Sequence, residues 1–220
     1  MQIQLTASDG HKLDAYRADP AGKPRGAIVV VQEIFGVNSH IRSVADGYAA
    51  DGYLAIAPAL FDRMKKNVEL GYTEPDVAAG RQFKAASVTE SALLDIAAAI
   101  KEAAPVGKVG IVGYCWGGFL AWMAAAKLDG LACAVPYYGG GILDNADIEA
   151  RCPVMAHFGE RDHMIPVEGV KKLAANHAAQ QIFIYAADHG FNCDQRGSWD
   201  APSAKVARER TLDFFRKYVG

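Results

Sequence analysis

The chain has 220 residues, 51% of them apolar and 22% charged, with a net charge of −2. That length suits one well-cored α/β domain over residues 1–220 and is short for two, and the near-neutral balance offers no basic field for nucleic acid. Met1 to Gly10 has neither a basic patch nor an apolar core, and no later apolar run approaches a membrane span, so the sequence predicts a cytoplasmic protein with no membrane partner.

Two short runs, Ile3 to Leu5 and Lys12 to Arg17, flank Asp9-Gly10 and read as an antiparallel hairpin whose turn needs positive backbone angles. Strand and helix then alternate. Ala27 to Gln32, Tyr53 to Ala57, Lys108 to Val112, Leu131 to Tyr137, Pro153 to Phe158 and Gln180 to Tyr185 are short, β-branched-rich runs suited to strands buried on both faces. Ser39 to Ala50, Pro75 to Ala104 (as two helices), Gly117 to Leu128, Val167 to Ala179 and Ala201 to Tyr218 carry helical patterns. The expected architecture is a mostly parallel, doubly wound sheet with an N-terminal antiparallel hairpin. The irregular stretch Leu60 to Thr73, with Arg63, Lys65 and Lys66, is expected to cap the strand ends and shape a substrate site.

Cysteines at 115, 133, 152 and 193 lack the short paired spacings of zinc or redox motifs and suit a reducing compartment. Cys133 and Cys152 read as small buried hydrophobes, which leaves Cys115 first and Cys193 second as chemically interesting. Gly113-Tyr114-Cys115-Trp116-Gly117 joins an apolar strand to an apolar helix. It therefore reads as a nucleophile elbow, with glycines where Cβ atoms would collide and cysteine at the strained apex.

A cysteine nucleophile needs a base and a group to orient it. Asp162, just after one strand, and His189, after the next, complete the order nucleophile, acid, histidine expected at the carboxyl edge of such a sheet. Asp188 competes as the acid, but directly preceding His189 it would point away from the ring. His11, His40 and His177 lie in the hairpin or on helices, His157 lies inside a strand and His163 beside the acid, so His189 alone has the loop position of the base. The backbone N–H of Trp116, after the nucleophile, and that of Ile34, in the loop Gln32 to Asn38, are the expected oxyanion donors. Glu33 stands in an apolar context that demands a partner. It reads either as a hydrogen-bonded structural residue or as a partner of the Cys115 thiol.

Gln32-Glu33-Ile34-Phe35-Gly36-Val37-Asn38, Gly113 to Gly118, Tyr137-Tyr138-Gly139, Asp162 and His189-Gly190-Phe191 together resemble the dienelactone hydrolases, or carboxymethylenebutenolidases. The likeness runs from the hairpin to Glu209 to Phe214. It implies an α/β-hydrolase fold and a Cys-His-Asp triad on Cys115, His189 and Asp162 that opens a small lactone. It implies no metal and no organic cofactor. It also implies a resting thiol beside Glu33, with substrate displacing the glutamate as the thiolate forms. Family members that act on dienelactone hold its carboxylate with two arginines; the matching positions here are Cys193 and Val77. Arg81, one turn after Val77, and Arg196 are the candidate replacements, each also readable as an ordinary solvated arginine. Tyr138 and Phe191 join them as candidate substrate-binding residues.

The expected function is hydrolysis of a small ester or lactone through a covalent acyl-enzyme, by a monomer or small homo-oligomer. The rival is a non-catalytic ligand-binding or redox-sensing protein on the same fold.

Overall fold

The chain folds as β1 (Gln2–Thr6), β2 (Lys12–Ala18), β3 (Ala27–Val31), α1 (Ser39–Ala50), β4 (Leu54–Pro58), α2 (Glu74–Ala86), α3 (Thr89–Ala103), β5 (Val109–Tyr114), α4 (Trp116–Lys127), β6 (Leu131–Tyr137), β7 (Met155–Gly159), α5 (Val167–Asn176), β8 (Gln181–Tyr185) and α6 (Ala201–Tyr218). A computed structural model describes all 220 residues. The strands form one sheet in the order β1-β2-β4-β3-β5-β6-β7-β8. The pairings of β1 with β2 and of β2 with β4 are antiparallel, and the rest are parallel.

After β3 the chain moves outward to β4, then returns to lay β5 on the other side of β3. The loops leaving β3 and β5 therefore diverge from adjacent strands, which opens a crevice at their carboxyl ends. The central strands are wholly buried: Ala27 to Val31 on β3, Leu54 to Pro58 on β4, and all of β5. Their all-apolar sequences follow from helices covering both faces. Helix α3 contacts α4 beside β3 and β4, while Arg208 of α6 lies over the Tyr48 ring of α1 at 4.2 Å.

Helix starts follow from capping side chains. Asn38 accepts from Ile41 N at 3.2 Å, Thr73 and Asp76 form a reciprocal box with Pro75 in the first turn of α2, and Asp200 accepts from Ser203 N at 2.9 Å.

Two expectations are corrected. Strand β8 is not buried on both faces, because it is the sheet's outer strand and Gln181 and Ile184 are exposed. The stretch from Leu60 to Thr73 forms no cap over the crevice. Instead it clamps the loop after β3: Leu70 N donates to Phe35 O at 2.9 Å, and a Cβ on Gly36 (φ +78°) would fall 1.8 Å from Val68 O. Arg63 ties the same stretch down through Asp95 (2.8 Å) and Asp9 (2.7 Å).

His157 is fully buried on β7, its ring nitrogens 2.8 Å from the Tyr185 hydroxyl and 3.1 Å from Thr211 Oγ1. Burial first, and the Arg210 charge second, push its imidazole down from 6.5 to about 3. A depressed histidine contributes stability above its unfolded value that is lost as pH falls through the window from 6.5 toward 3. Between pH 7.5 and 4.5, wild type should therefore lose roughly 2–3 kcal/mol more stability than His157→Gln, read from urea unfolding curves at both pH values. Parallel losses in the two proteins would refute the assignment.

Candidate active site

Strand β5 turns into α4 at Cys115, whose φ is +55°. The turn is possible because the flanking backbone is packed closer than side chains permit. A Cβ on Gly113 would fall 1.9 Å from Gly117 O, one on Gly117 2.4 Å from both Val31 O and Gln32 O, and one on Gly118 2.3 Å from Tyr137 O. Cys115 N donates to Tyr137 O at 3.0 Å, and its partly exposed thiol stands at the N-terminus of α4.

Asp162, beyond the end of β7, and His189, in the loop after β8, meet beside this apex. His189 Nδ1 is 2.7 Å from Asp162 Oδ2, while Asp162 Oδ1 accepts from Met164 N at 2.9 Å. Asp188 is occupied elsewhere: it accepts from the backbone N–H of His189 at 2.7 Å and does not reach the ring. The second ring nitrogen, Nε2, is buried, has no hydrogen-bond partner and is turned toward Cys115. Burial opposes charge on this imidazole, but Asp162 and then the Cys115 sulfur outweigh it and push it up to about 10. Tyr138 and Phe191 are wholly buried and pack at 5.1 and 5.4 Å in the chain His189, Tyr138, Phe191, so they support the imidazole from behind.

The loop from Gln32 to Asn38 closes the other side. Ile34 and Trp116 both border the crevice, and neither backbone N–H donates within the protein. Gly80 of α2 fixes Ile34, since a Cβ there would lie 2.3 Å from Ile34 O. The Trp116 ring stacks on Phe61 at 5.2 Å, so it serves packing as well as lining. Glu33 is 1% exposed, and Arg196 Nη1 donates to its Oε1 at 3.1 Å. Burial works most strongly against the Arg196 charge, but Glu33 and, after it, Tyr138, Cys115 and Cys193 together outweigh it and raise the guanidinium above its ordinary value.

These groups share a cleft of about 290 Å³. Cys115, His189, Ile34 and Trp116 line it, and Arg81, Lys84 and Arg196 bring three cationic side chains to it. Val77, Phe35 and Met164 add apolar surface. Sequence reading missed Lys84 and Met164. Lys84 was within reach, because Val77, Arg81 and Lys84 recur at helical spacing along one face of α2. Cys193 is fully buried and does not line the cleft; with Glu33 and His40 it brings metal-ligand atoms within 4.8 Å of one another behind it.

The dienelactone hydrolase family model matches residues 13–219. The carboxymethylenebutenolidase of Pseudomonas putida is 34% identical over 96% of this chain and 94% of its own. A Synechocystis protein provisionally given the same name is 34% identical over 93% and 92% of the two chains. A crystal structure from Klebsiella pneumoniae, provisionally described as a dienelactone hydrolase, superposes with a TM-score of 0.86 at 32% identity and covers 99% of both chains. A promiscuous, dienelactone hydrolase-like phosphotriesterase from metagenomic libraries matches at a TM-score of 0.76 and 18% identity, a likeness of fold.

The elbow geometry predicts a sharp contrast between glycines. Gly113→Ala should lower stability by about 3 kcal/mol or more, which corresponds to a melting temperature some ~6–12 °C lower. Gly140→Ala, where a Cβ meets nothing within 4 Å, should leave the melting curve within about 1 °C of wild type. Equal shifts in thermal unfolding would contradict the close-packed elbow.

Proposed function

The chain belongs to the dienelactone hydrolase family, and we propose that it hydrolyses a small anionic ester or lactone with Cys115 as nucleophile, His189 as proton donor and acceptor, and Asp162 as the group that orients His189. One observation carries this reading above the rest. A cysteine at a strained strand-to-helix apex, an imidazole hydrogen-bonded to a buried carboxylate and three cationic side chains all converge on one cleft.

In the resting state Arg196 holds Glu33. A substrate carboxylate arriving among Arg81, Lys84 and Arg196 competes for Arg196, and the buried Glu33, losing its counter-charge, takes the Cys115 thiol proton. The resulting thiolate stands beside a protonated His189 and attacks the substrate carbonyl carbon. The developing oxyanion is received by the free N–H groups of Ile34 and Trp116. Collapse breaks the bond to the leaving oxygen, which takes its proton from His189, and leaves a thioester on Cys115. Neutral His189 then removes a proton from water, whose oxygen attacks the thioester. The second collapse releases the acid and the thiolate, and Glu33 returns its proton as Arg196 recaptures it. No metal or organic cofactor enters this sequence.

Turnover of dienelactone, a neutral p-nitrophenyl ester and a thioester would test the reading. Cys115→Ala should abolish hydrolysis of all three, and Arg196→Gln should lower kcat/KM for the anionic substrate roughly 10- to 100-fold relative to the neutral ester. Cys115-independent turnover would sink the nucleophile assignment. If wild type turns over none of them but mild peroxide oxidises Cys115, the redox-sensing rival takes its place.

Asp162→Asn should lower kcat by about 10³ to 10⁴. Asp162 raises His189, and the protonated ring is the competent acid, so activity fades as pH climbs through the value of His189. In the variant, the alkaline limb of the kcat profile should therefore move to lower pH. An unmoved limb would show that Asp162 does not set the imidazole.

A further inference from the structure

Behind the cleft Glu33 belongs to a cluster whose other members, His40 and Cys193, the proposed reaction does not use. A carboxylate oxygen of Glu33, a ring nitrogen of His40 and the sulfur of Cys193 all lie within 4.8 Å of one another. The three residues are 1%, 3% and 0% exposed. Glu33 Oε2 and His40 Nε2 are both buried without a hydrogen-bond partner. Asp194 Oδ1 stands 3.0 Å from His40 Nδ1, so the ring proton belongs on that side and Nε2 presents its lone pair inward. Two acceptors thus share a buried interior in which the weak Cys193 S–H is the cluster's own donor, and a Lewis acid would satisfy both acceptors at once.

We propose that Glu33, His40 and Cys193 form a site for a divalent transition-metal ion of the zinc class, and that occupation withholds Glu33 from Cys115 and inhibits the hydrolase. The donor set of imidazole, thiolate and carboxylate is the one zinc accepts. Tetrahedral zinc bonds place donor atoms about 3.3–3.8 Å apart, so side-chain rotations drawing the three inward by roughly 1 Å would complete the site. The supporting contacts exist already. Asp194 orients the histidine, Arg196 holds Oε1 of Glu33, and the Tyr72 hydroxyl, fixed by Asn38 at 3.2 Å, borders Cys193. Binding replaces the Cys193 S–H bond with a sulfur–metal bond and releases one proton. Thiolate and carboxylate then match the two charges of the ion, with Arg196 left sharing the Glu33 carboxylate. A surface cleft of about 340 Å³ is bordered by His40 and Asp194 and so reaches the outer side of the cluster.

The inhibitory half rests on the proposed function; the binding half does not, and the test separates them. Co²⁺ is added first to Cys115→Ala, which removes the thiol of the catalytic cleft and needs no activity to be read. One equivalent should produce a thiolate-to-cobalt charge-transfer band that disappears in Cys115→Ala/Cys193→Ala and requires at least about tenfold more Co²⁺ in Cys115→Ala/His40→Gln. Absence of the band in Cys115→Ala, where the cluster is intact, or its survival without Cys193, would overturn the site. With the Cys115 enzyme, Zn²⁺ should suppress ester turnover and a chelator restore it, while Cys193→Ala and His40→Gln retain turnover and lose sensitivity by at least about tenfold. Binding without suppression would overturn the inhibitory role and leave the hydrolase reading untouched.

Discussion

Everything at the site hangs on how closely β5, α4 and β3 approach one another at the elbow. The carbonyl of Gly117 stands where a Gly113 Cβ would be, and the carbonyls of Val31 and Gln32 stand where a Gly117 Cβ would be. With no room to relax, the chain can reverse from strand to helix only by driving Cys115 to positive φ, a conformation that disfavours a non-glycine residue by about 1–3 kcal/mol. A buried apolar cluster of 60 residues over-determines the surrounding elements and holds that strain. The next strand repeats the pattern: Tyr138, immediately after β6, has φ +36° and donates its N–H to His157 O at 2.7 Å. Two strained residues on neighbouring strand ends thus fix both the thiol and the aromatic surface on which His189 rests.

Rigidity at the elbow is matched by clamping of the opposite loop. Gly80 presses against the Ile34 carbonyl and Gly36 against that of Val68, while Gln32 is anchored by accepting from Leu60 N at 3.1 Å. The loop therefore cannot yield when charge moves through the site. What can move is a side chain, and Glu33 is the one with reason to. A buried carboxylate deprived of its partner is destabilised by about 3–5 kcal/mol, more than ordinary thermal energy supplies. On the proposed mechanism, this penalty turns Glu33 to the thiol proton when a substrate carboxylate has claimed Arg196. Thiolate formation is thereby tied to occupancy, which suits sulfur, since an unprotected thiolate is open to oxidation.

The sheet was legible because each layer has its own period and punctuation. Ala27 to Val31 is too short and too β-branched for a helix, and Asn38, Pro75 and Ala201-Pro202 mark helix starts that the structure keeps. The partial solvation of β8 was not legible, because Gln-Ile-Phe-Ile-Tyr reads as a buried strand and only its place at the sheet's edge exposes one side. The elbow and the meeting of Asp162 with His189 followed from local motifs at strand ends. Arg196 could only be a candidate, because it lies seven residues past His189 in an irregular loop, where spacing says nothing about direction. The stretch from Leu60 to Thr73 misled for the same reason: its positive charges suggested a substrate cap, whereas Arg63 and Lys66 are engaged by Asp9, Asp95 and Asp62. His40 seemed an ordinary helix residue, since nothing at positions 33, 40 and 193 announces convergence until β3, α1 and the loop after β8 are packed together.

Glu33 consequently stands at the junction of two arrangements that cannot coexist with the catalytic role proposed for it. Its Oε1 accepts from Arg196, its Oε2 is buried without a partner, and one carboxylate oxygen lies with His40 and Cys193 in the buried cluster. A single carboxylate cannot hold an arginine, ligate a metal and accept a thiol proton at once, because each use draws on the same negative charge. The ion pair keeps the charge in reserve, the substrate frees it, and a metal would consume it. On the proposed reading, control of the reaction resides in competition for one buried carboxylate, while the Cys115, His189 and Asp162 geometry stays fixed.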